Sequence, residues 1–249
     1  MKSALLLVAL MIAPLLGAFS SSAADTAKME AEGKALVQDL LSRRPATTFT
    51  NTGVMKLRMP KSRRELLLEQ RVALTSNEWQ NIYTASTTNG QKICILTITH
   101  ADQKPNQYQL ELLEGSGWPQ SAKTLTGDAI MMPFATTDFW LADLGLEFLH
   151  WPVQRLLRKE LKDSQFCAVL ESISPEPTGK GYVRVVSWIH LKNGGTVYAI
   201  AYDANNKKLK EFEPKAVEKV NDQYELKSME IRNEQTDTRT TIVFNLGGK

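Results

Sequence analysis

Residues 48–75 read TFTNTGVMKLRMPKSRRELLLEQRVALT. In the first half, Phe49, Met55, Leu57 and Met59 fall on one side of an extended chain, with Thr48, Thr50, Lys56 and Arg58 on the other. In the second half, Leu66, Leu68, Val72 and Leu74 alternate with Glu69 and Arg71. A period of two is the pattern of a strand with one face in a core and one in water. Pro60-Lys61-Ser62 lies between the halves as a turn, so the stretch reads as a β-hairpin.

The pattern continues outward. Glu78–Ala85 carries Trp79, Ile82 and Tyr83; Asn89-Gly90 is a strong turn signal; Lys92–Thr99 is almost wholly apolar or β-branched; Gln107–Leu113 alternates Tyr108, Leu110 and Leu112 with Gln107, Gln109 and Glu111. Strands this closely spaced form an antiparallel meander. Six more follow further on: Phe166–Ile173, Tyr182–Leu191, Val197–Asp203, Leu209–Val217, Tyr224–Arg232 and Thr238–Leu246. The expected fold class is mainly β with helices (α+β). It is an unclosed antiparallel β-barrel of about eleven strands, curled to bury its apolar face.

Two helical regions are expected. Residues 25–44 carry Leu36, Val37, Leu40 and Leu41 at helical spacing and end before Pro45. Residues 136–162 crowd Phe139, Trp140, Leu141, Leu144, Leu146, Phe148, Leu149 and Trp151 together. Thr137 or Asp138 is placed to cap a helix there, Gly145 weakens its middle, and Pro152 is read as opening a second helical piece with Val153, Leu156, Leu157 and Leu161 on one face. So many large apolar side chains exceed what a surface helix needs, and the segment reads equally as a core helix or as a lid over an apolar cavity. Residues 115–135 read as a loop.

Residues 1–24, MKSALLLVALMIAPLLGAFSSSAA, have the charged start, apolar middle and small-residue end of a cleavable secretory signal. The remaining 25–249 are expected to form one domain in the periplasm. The first cysteine is Cys94, so a lipid anchor at the processed N-terminus is not expected.

Composition narrows the function. The chain has 249 residues, 43% hydrophobic and 23% charged, with formal net charge +3, two Cys and three His. That is an ordinary globular composition, too weakly basic to argue for nucleic acid and too poor in Cys and His for a metal cluster. His100, His150 and His190 lack a partner at catalytic or ligand spacing, Asp138 and Glu147 are explained by capping and by solvent, and no cofactor motif is present. Lys61, Arg63 and Arg64, with Lys56 and Arg58, form a basic cluster read as a solvated turn ahead of a docking patch for acidic head groups or a partner protein, and Lys207-Lys208-Leu209-Lys210 is read as a solvated hairpin flank. Whether Cys94 and Cys167 pair is left open.

The stretches TTDFWLADLGLEFLHWPVQ (136–154), VLES (169–172), VVSWI (185–189), AYDANNKKLKEFEPK (201–215) and MEIRNEQTDTRTTIVFNL (229–246) resemble the LolA-like outer-membrane lipoprotein-sorting proteins, nearest to their uncharacterised branch. The resemblance implies an unclosed β-barrel with helices lidding an apolar cavity. It implies a non-enzymatic periplasmic carrier that takes lipoprotein acyl chains, or a related lipid, from an inner-membrane donor to an outer-membrane acceptor. The expected contacts are wall residues Met55, Leu57, Leu66 and Leu68 and lid residues Trp140, Leu141, Leu144, Phe148 and Trp151. A monomer is expected, with no cofactor and no metal. Two other readings stay open: an envelope-stress regulatory module sensing lipoproteins on the same fold, and a hydrolase acting on an apolar ester.

Overall fold

The computed structural model describes residues 19–102, 104–113, 120–175, 181–220 and 223–246. Most of the expected signal segment therefore lies outside the described residues; Phe19 to Ala24 form the first turns of helix α1, Phe19–Ser42.

The body is one antiparallel sheet of 13 strands. The first six are β1 (Phe49–Met59), β2 (Ser62–Leu74), β3 (Glu78–Ser86), β4 (Lys92–Ala101), β5 (Gln107–Leu112) and β6 (Ser121–Leu125). After the lid come β7 (Val153–Lys162), β8 (Gln165–Ile173), β9 (Arg184–His190), β10 (Thr196–Tyr202), β11 (Lys208–Val220), β12 (Gln223–Asn233) and β13 (Thr238–Asn245). Each half is a meander, and β1 pairs with β13 to join them, giving the order β6-β5-β4-β3-β2-β1-β13-β12-β11-β10-β9-β8-β7. The two free edges are thus β6 and β7, the strands that flank the lid in sequence. The lid chain leaves one edge and returns at the other, so it spans the gap that keeps the barrel open.

The unclosed barrel agrees with expectation, while two elements differ. The segment 153–162 is strand β7, not a helix, so the helical lid ends at His150 rather than near Lys162. The reason is a bulge: the β7–β8 register shifts between Leu156 and Arg158, leaving Leu157 as an extra residue. That insertion resets the alternation and spaces Val153, Leu156, Leu157 and Leu161 as a helix face would be. The second difference is β6, whose sequence Ser-Ala-Lys-Thr-Leu has no apolar alternation. It is a short edge strand, held by backbone pairing with β5. These two raise the strand count from about eleven to 13.

Helix α1 lies along β7. Its Gly33 touches the strand so closely that an added Cβ would sit 2.5 Å from the Gln154 carbonyl oxygen. Glu30 pairs with Arg155 at 3.0 Å, Val37 is buried in the core, and at the far end Arg43 donates to the Asn193 carbonyl. Arg44 then reaches Asp102 at 2.9 Å and the Asn77 carbonyl on the other half of the sheet. The helix therefore bridges the two halves on the open side.

Candidate functional site: a lidded apolar hollow

The concave face is apolar for the reason the alternation gave. Met55 lies opposite Leu66 in the β1–β2 register and Gly53 opposite Leu68, so the wall residues Met55, Leu57, Leu66 and Leu68 share one side, all buried. Tyr83, Leu96 and Ile98 extend the wall across β3 and β4. Outward neighbours Lys56 and Arg58 stay in water.

The lid, 126–152, has little regular structure. It has single 3-10 turns at Gly127–Ile130, Phe134–Thr136 and Glu147–His150, and one helical turn, α2 (Leu141–Leu144). Most of its large apolar side chains are buried against the wall, while Met132 and Leu146 are exposed. Phe134, Phe139, Leu141, Leu144, Phe148 and Trp151 join the wall residues in one continuous core, with Trp140 half-buried against it. The structure thus brings together all nine residues singled out from the sequence. In this state the lid's own rings pack against the wall.

Two features set the lid apart from the wall. Ala135 (φ 49°), Thr136 (φ 62°) and Leu146 (φ 49°) are left-handed non-glycine residues, each costing on the order of 1 kcal/mol or more. The polar clasps sit mainly around the plug. Asp138 accepts from the hydroxyls of Thr238 and Thr240 on β13, rather than capping a helix as expected; Asp143 accepts from the Trp140 amide at 2.7 Å and does the capping instead. Gln154 donates to the Phe148 and Trp151 carbonyls and is itself held by Ser172. Arg64 of the basic hairpin donates to Thr136 at 2.8 Å, so this member of the expected solvated cluster holds the lid.

The firmest clasp was invisible in the sequence. Lys210 on β11 donates to Asp143 at 2.7 Å, with side chains only 3% and 14% exposed, and its Nζ lies 3.6 Å over the Trp140 ring. Lys207 and Lys208 are exposed as expected, but Lys210 is not. Burial holds its ammonium down to about 8, against the pull of Asp143. Trp140 in turn stacks on Tyr182 with ring centroids 5.7 Å apart.

A second polar group meets the lid from β5 and the connection before it. Tyr108 donates to Glu147 at 2.9 Å, and Asn106 donates to the Gly145 carbonyl at 2.8 Å. Any side chain at Gly145 would collide with the Tyr108 hydroxyl, so that glycine is required by close approach. Glu147, read as solvated from the sequence, is partly buried, and burial raises its pKa. It and Asp138 are engaged by different strands, so they do not form a carboxylate pair.

Two of the three histidines are held by ordinary structural contacts. His100 stacks on Trp79 at 3.9 Å, and His190 contacts the Asn193 side chain at 2.9 Å. Burial, helped by nearby His150, holds His100 down to about 4. Unfolded His100 takes up a proton near its ordinary 6.5 while the folded form resists it until about 4, so stability falls as pH drops across that window. We expect wild type to lose about 1 to 2 kcal/mol more than His100→Gln between pH 7 and pH 5. Glu147, raised in the fold, works in the opposite direction in both proteins and cancels in the comparison. Urea titrations at the two pH values check this; equal losses would contradict it.

An apolar recess of about 290 Å³ opens where β5 and β6 meet the lid, lined by Leu110, Leu112, Leu125, Ala129 and Met132 among others. The sequence reading missed it because 115–135 read as a loop. Cys94 and Cys167 are both free and buried, on β4 and β8 in opposite halves of the sheet. Burial pushes the Cys94 thiol up to about 12 and raises Cys167 as well. Among the described residues no cluster of three or more His, Cys, Asp or Glu could hold a metal ion, and no helix is long and apolar enough to cross a membrane.

The same architecture recurs in solved structures. A domain from Vibrio parahaemolyticus named for outer membrane lipoprotein sorting is 17% identical, with TM-score 0.71 over 88% of this chain and 95% of that one. A DUF1329 family protein from Desulfovibrio piger is 14% identical, with TM-score 0.68 over 89% and 95%. A LolA superfamily protein from Nitrosomonas europaea is 15% identical, with TM-score 0.56 over 89% and 91%. At these identities the likeness establishes the fold. No curated protein sequence matches the chain. A family model described as "Uncharacterized protein" matches residues 120–246, the lid and all of the second meander. The chain belongs to that family, and its fold is the LolA-like half-barrel seen in the lipoprotein-sorting domain.

Proposed function

We propose that this protein is a non-enzymatic periplasmic carrier that hides the acyl chains of lipoproteins, or of a related lipid, between the curved sheet and its lid. The observation that carries the reading is the lid itself: a strained apolar plug, clasped by polar contacts, seated on an apolar concave wall. Capture exchanges one filling for another. The lid withdraws its rings, and acyl methylenes, each worth about 0.8 kcal/mol when removed from water, take their place. Because apolar burial is similar before and after, uptake and release stay near balance, as a shuttle between an inner-membrane donor and an outer-membrane acceptor requires. The recess lined by Leu110, Leu112, Leu125 and Met132 is where a chain end would enter. The wall and lid residues that line the exchange are Met55, Leu57, Leu66 and Leu68 with Trp140, Leu141, Leu144, Phe148 and Trp151.

Displacement of a fluorescent fatty acid from the purified protein tests the proposal. Phe148→Asp and Trp140→Asp put a carboxylate on the lid face that closes over the bound chains. Each is expected to weaken uptake about tenfold or more, given the cost of burying an unpaired charge. Far-ultraviolet circular dichroism checks that the sheet remains. Unchanged uptake in both variants, or no uptake by wild type, would remove the carrier reading.

A further inference from the structure

The concave face does not end at the core. One register step beyond Ala168 and Ile189 on β8 and β9, Phe166 faces Leu161 of β7 on one side. On its other side, the Leu191 amide donates to the Phe166 carbonyl at 2.9 Å. Leu161, Phe166 and Leu191 thus form a cross-strand row on the cavity side of the sheet. They are 60%, 65% and 47% exposed. Three large apolar side chains in one row at a rim, each about half exposed or more, form a concentrated apolar ridge in water.

The charges beside this row identify what fits it. Lys159 is two residues from Leu161 on the same face, and Lys192 follows Leu191 at the turn. Both are exposed, and neither has an ion-pair partner among the described residues. The nearby carboxylates are already engaged: Asp163 with Lys162 at 3.5 Å, and Asp39 with Arg43 at 2.6 Å. The row therefore meets its surroundings as apolar side chains flanked by unpaired ammonium groups. The ridge also stands at the tip of the β7–β8 hairpin, beside the turn between Lys162 and Gln165. Apolar side chains flanked by free lysines are the pattern that an anionic bilayer interface accepts, the rings entering the headgroup layer and the lysines meeting lipid phosphates.

We infer that the rim formed by Leu161, Phe166 and Leu191, with Lys159 and Lys192, docks the protein on the surface of an anionic lipid bilayer. This extends the carrier reading by saying where lipid is met, and it is tested separately from it. Three side chains and two charges give weak, reversible attachment. A carrier that must leave the membrane again needs no more.

Vesicle co-sedimentation of the full chain decides it, with phosphatidylglycerol vesicles against phosphatidylcholine vesicles, at low and high salt. Wild type is expected to bind the anionic vesicles, and to lose binding at high salt. Leu161→Ser/Phe166→Ser/Leu191→Ser should lower the partition coefficient at least about tenfold. Lys159→Gln/Lys192→Gln should lower it on anionic vesicles by roughly fivefold per lysine, with little effect on neutral ones. Phe166→Trp should show a blue-shifted emission, quenched by brominated lipid, only when vesicles are present. Circular dichroism and urea titration verify that the variants fold. Fatty-acid uptake from buffer should be unchanged in the serine and glutamine variants, so loss of docking and loss of the carrier activity are told apart. The inference is overturned if wild type ignores anionic vesicles, if the variants bind like wild type, or if Phe166→Trp stays in water. Binding to native envelope membranes but not to protein-free vesicles would assign the rim to a protein partner and overturn it equally.

Discussion

Asp143→Ala will cost the fold about 3–5 kcal/mol, the range expected when one member of a buried ion pair is removed. The Lys210 ammonium is 3% exposed and has Asp143 as its only ion-pair partner among the described residues, at 2.7 Å. Without that carboxylate it is left over the Trp140 face, where a ring quadrupole offers about 2 kcal/mol at best. The same substitution takes away the acceptor of the Trp140 amide. Asp143→Leu combined with Lys210→Met should recover most of the loss, because an apolar pair of similar volume needs no desolvation. Urea unfolding measures both variants; a loss under about 1 kcal/mol in Asp143→Ala would show that the bridge does not hold the lid. The pH profile adds a signature. Lys210 binds its proton less readily in the fold, at about 8 against an ordinary 10.5. Between those values the unfolded chain holds more protons, so stability contributed at this site rises with pH across the window. The Leu/Met double variant should lack that rise.

Gly33→Ala opposes two physical effects and has a sign that decides between them. In an isolated helix the change is favourable by about 1 kcal/mol. In this fold the new methyl would sit 2.5 Å from the Gln154 carbonyl oxygen and 2.7 Å from the Arg155 amide nitrogen, both backbone atoms that cannot swing aside. Helix α1 must then lift from β7, which weakens the Glu30–Arg155 pair at 3.0 Å and uncovers Val37. Packing should win, with a net loss of about 2 kcal/mol and increased binding of an apolar dye as the hollow opens beside the helix. A stabilised Gly33→Ala protein would mean that α1 does not seal this side.

The positions of Met55, Leu57, Leu66 and Leu68 could be read directly from alternation, because a strand with one wet face repeats every two residues whatever lies beyond it. The same local rule located most strands and both ends of the lid's apolar cluster. It failed at β7, where one bulged residue, Leu157, shifts the phase and imitates a helix. It failed at β6, where Ser121–Leu125 is a strand only because β5 offers it a ladder. Both failures fall at sheet edges, where pairing on one side replaces the pattern that burial on both sides would impose.

The sequence by itself determined the half-barrel class, the apolar wall and the greasy lid, since these follow from which side chains avoid water and at what period. Only the tertiary structure decided that Lys210 is buried against Asp143, that Glu147 meets Tyr108, and that Leu161, Phe166 and Leu191 form one exposed row. The physical reason is distance along the chain. Sixty-seven residues separate Lys210 from Asp143, and electrostatic partners that far apart leave no periodic mark. They are fixed by the strand order, which places β13 beside β1 and leaves β6 and β7 as open edges for the lid to bridge.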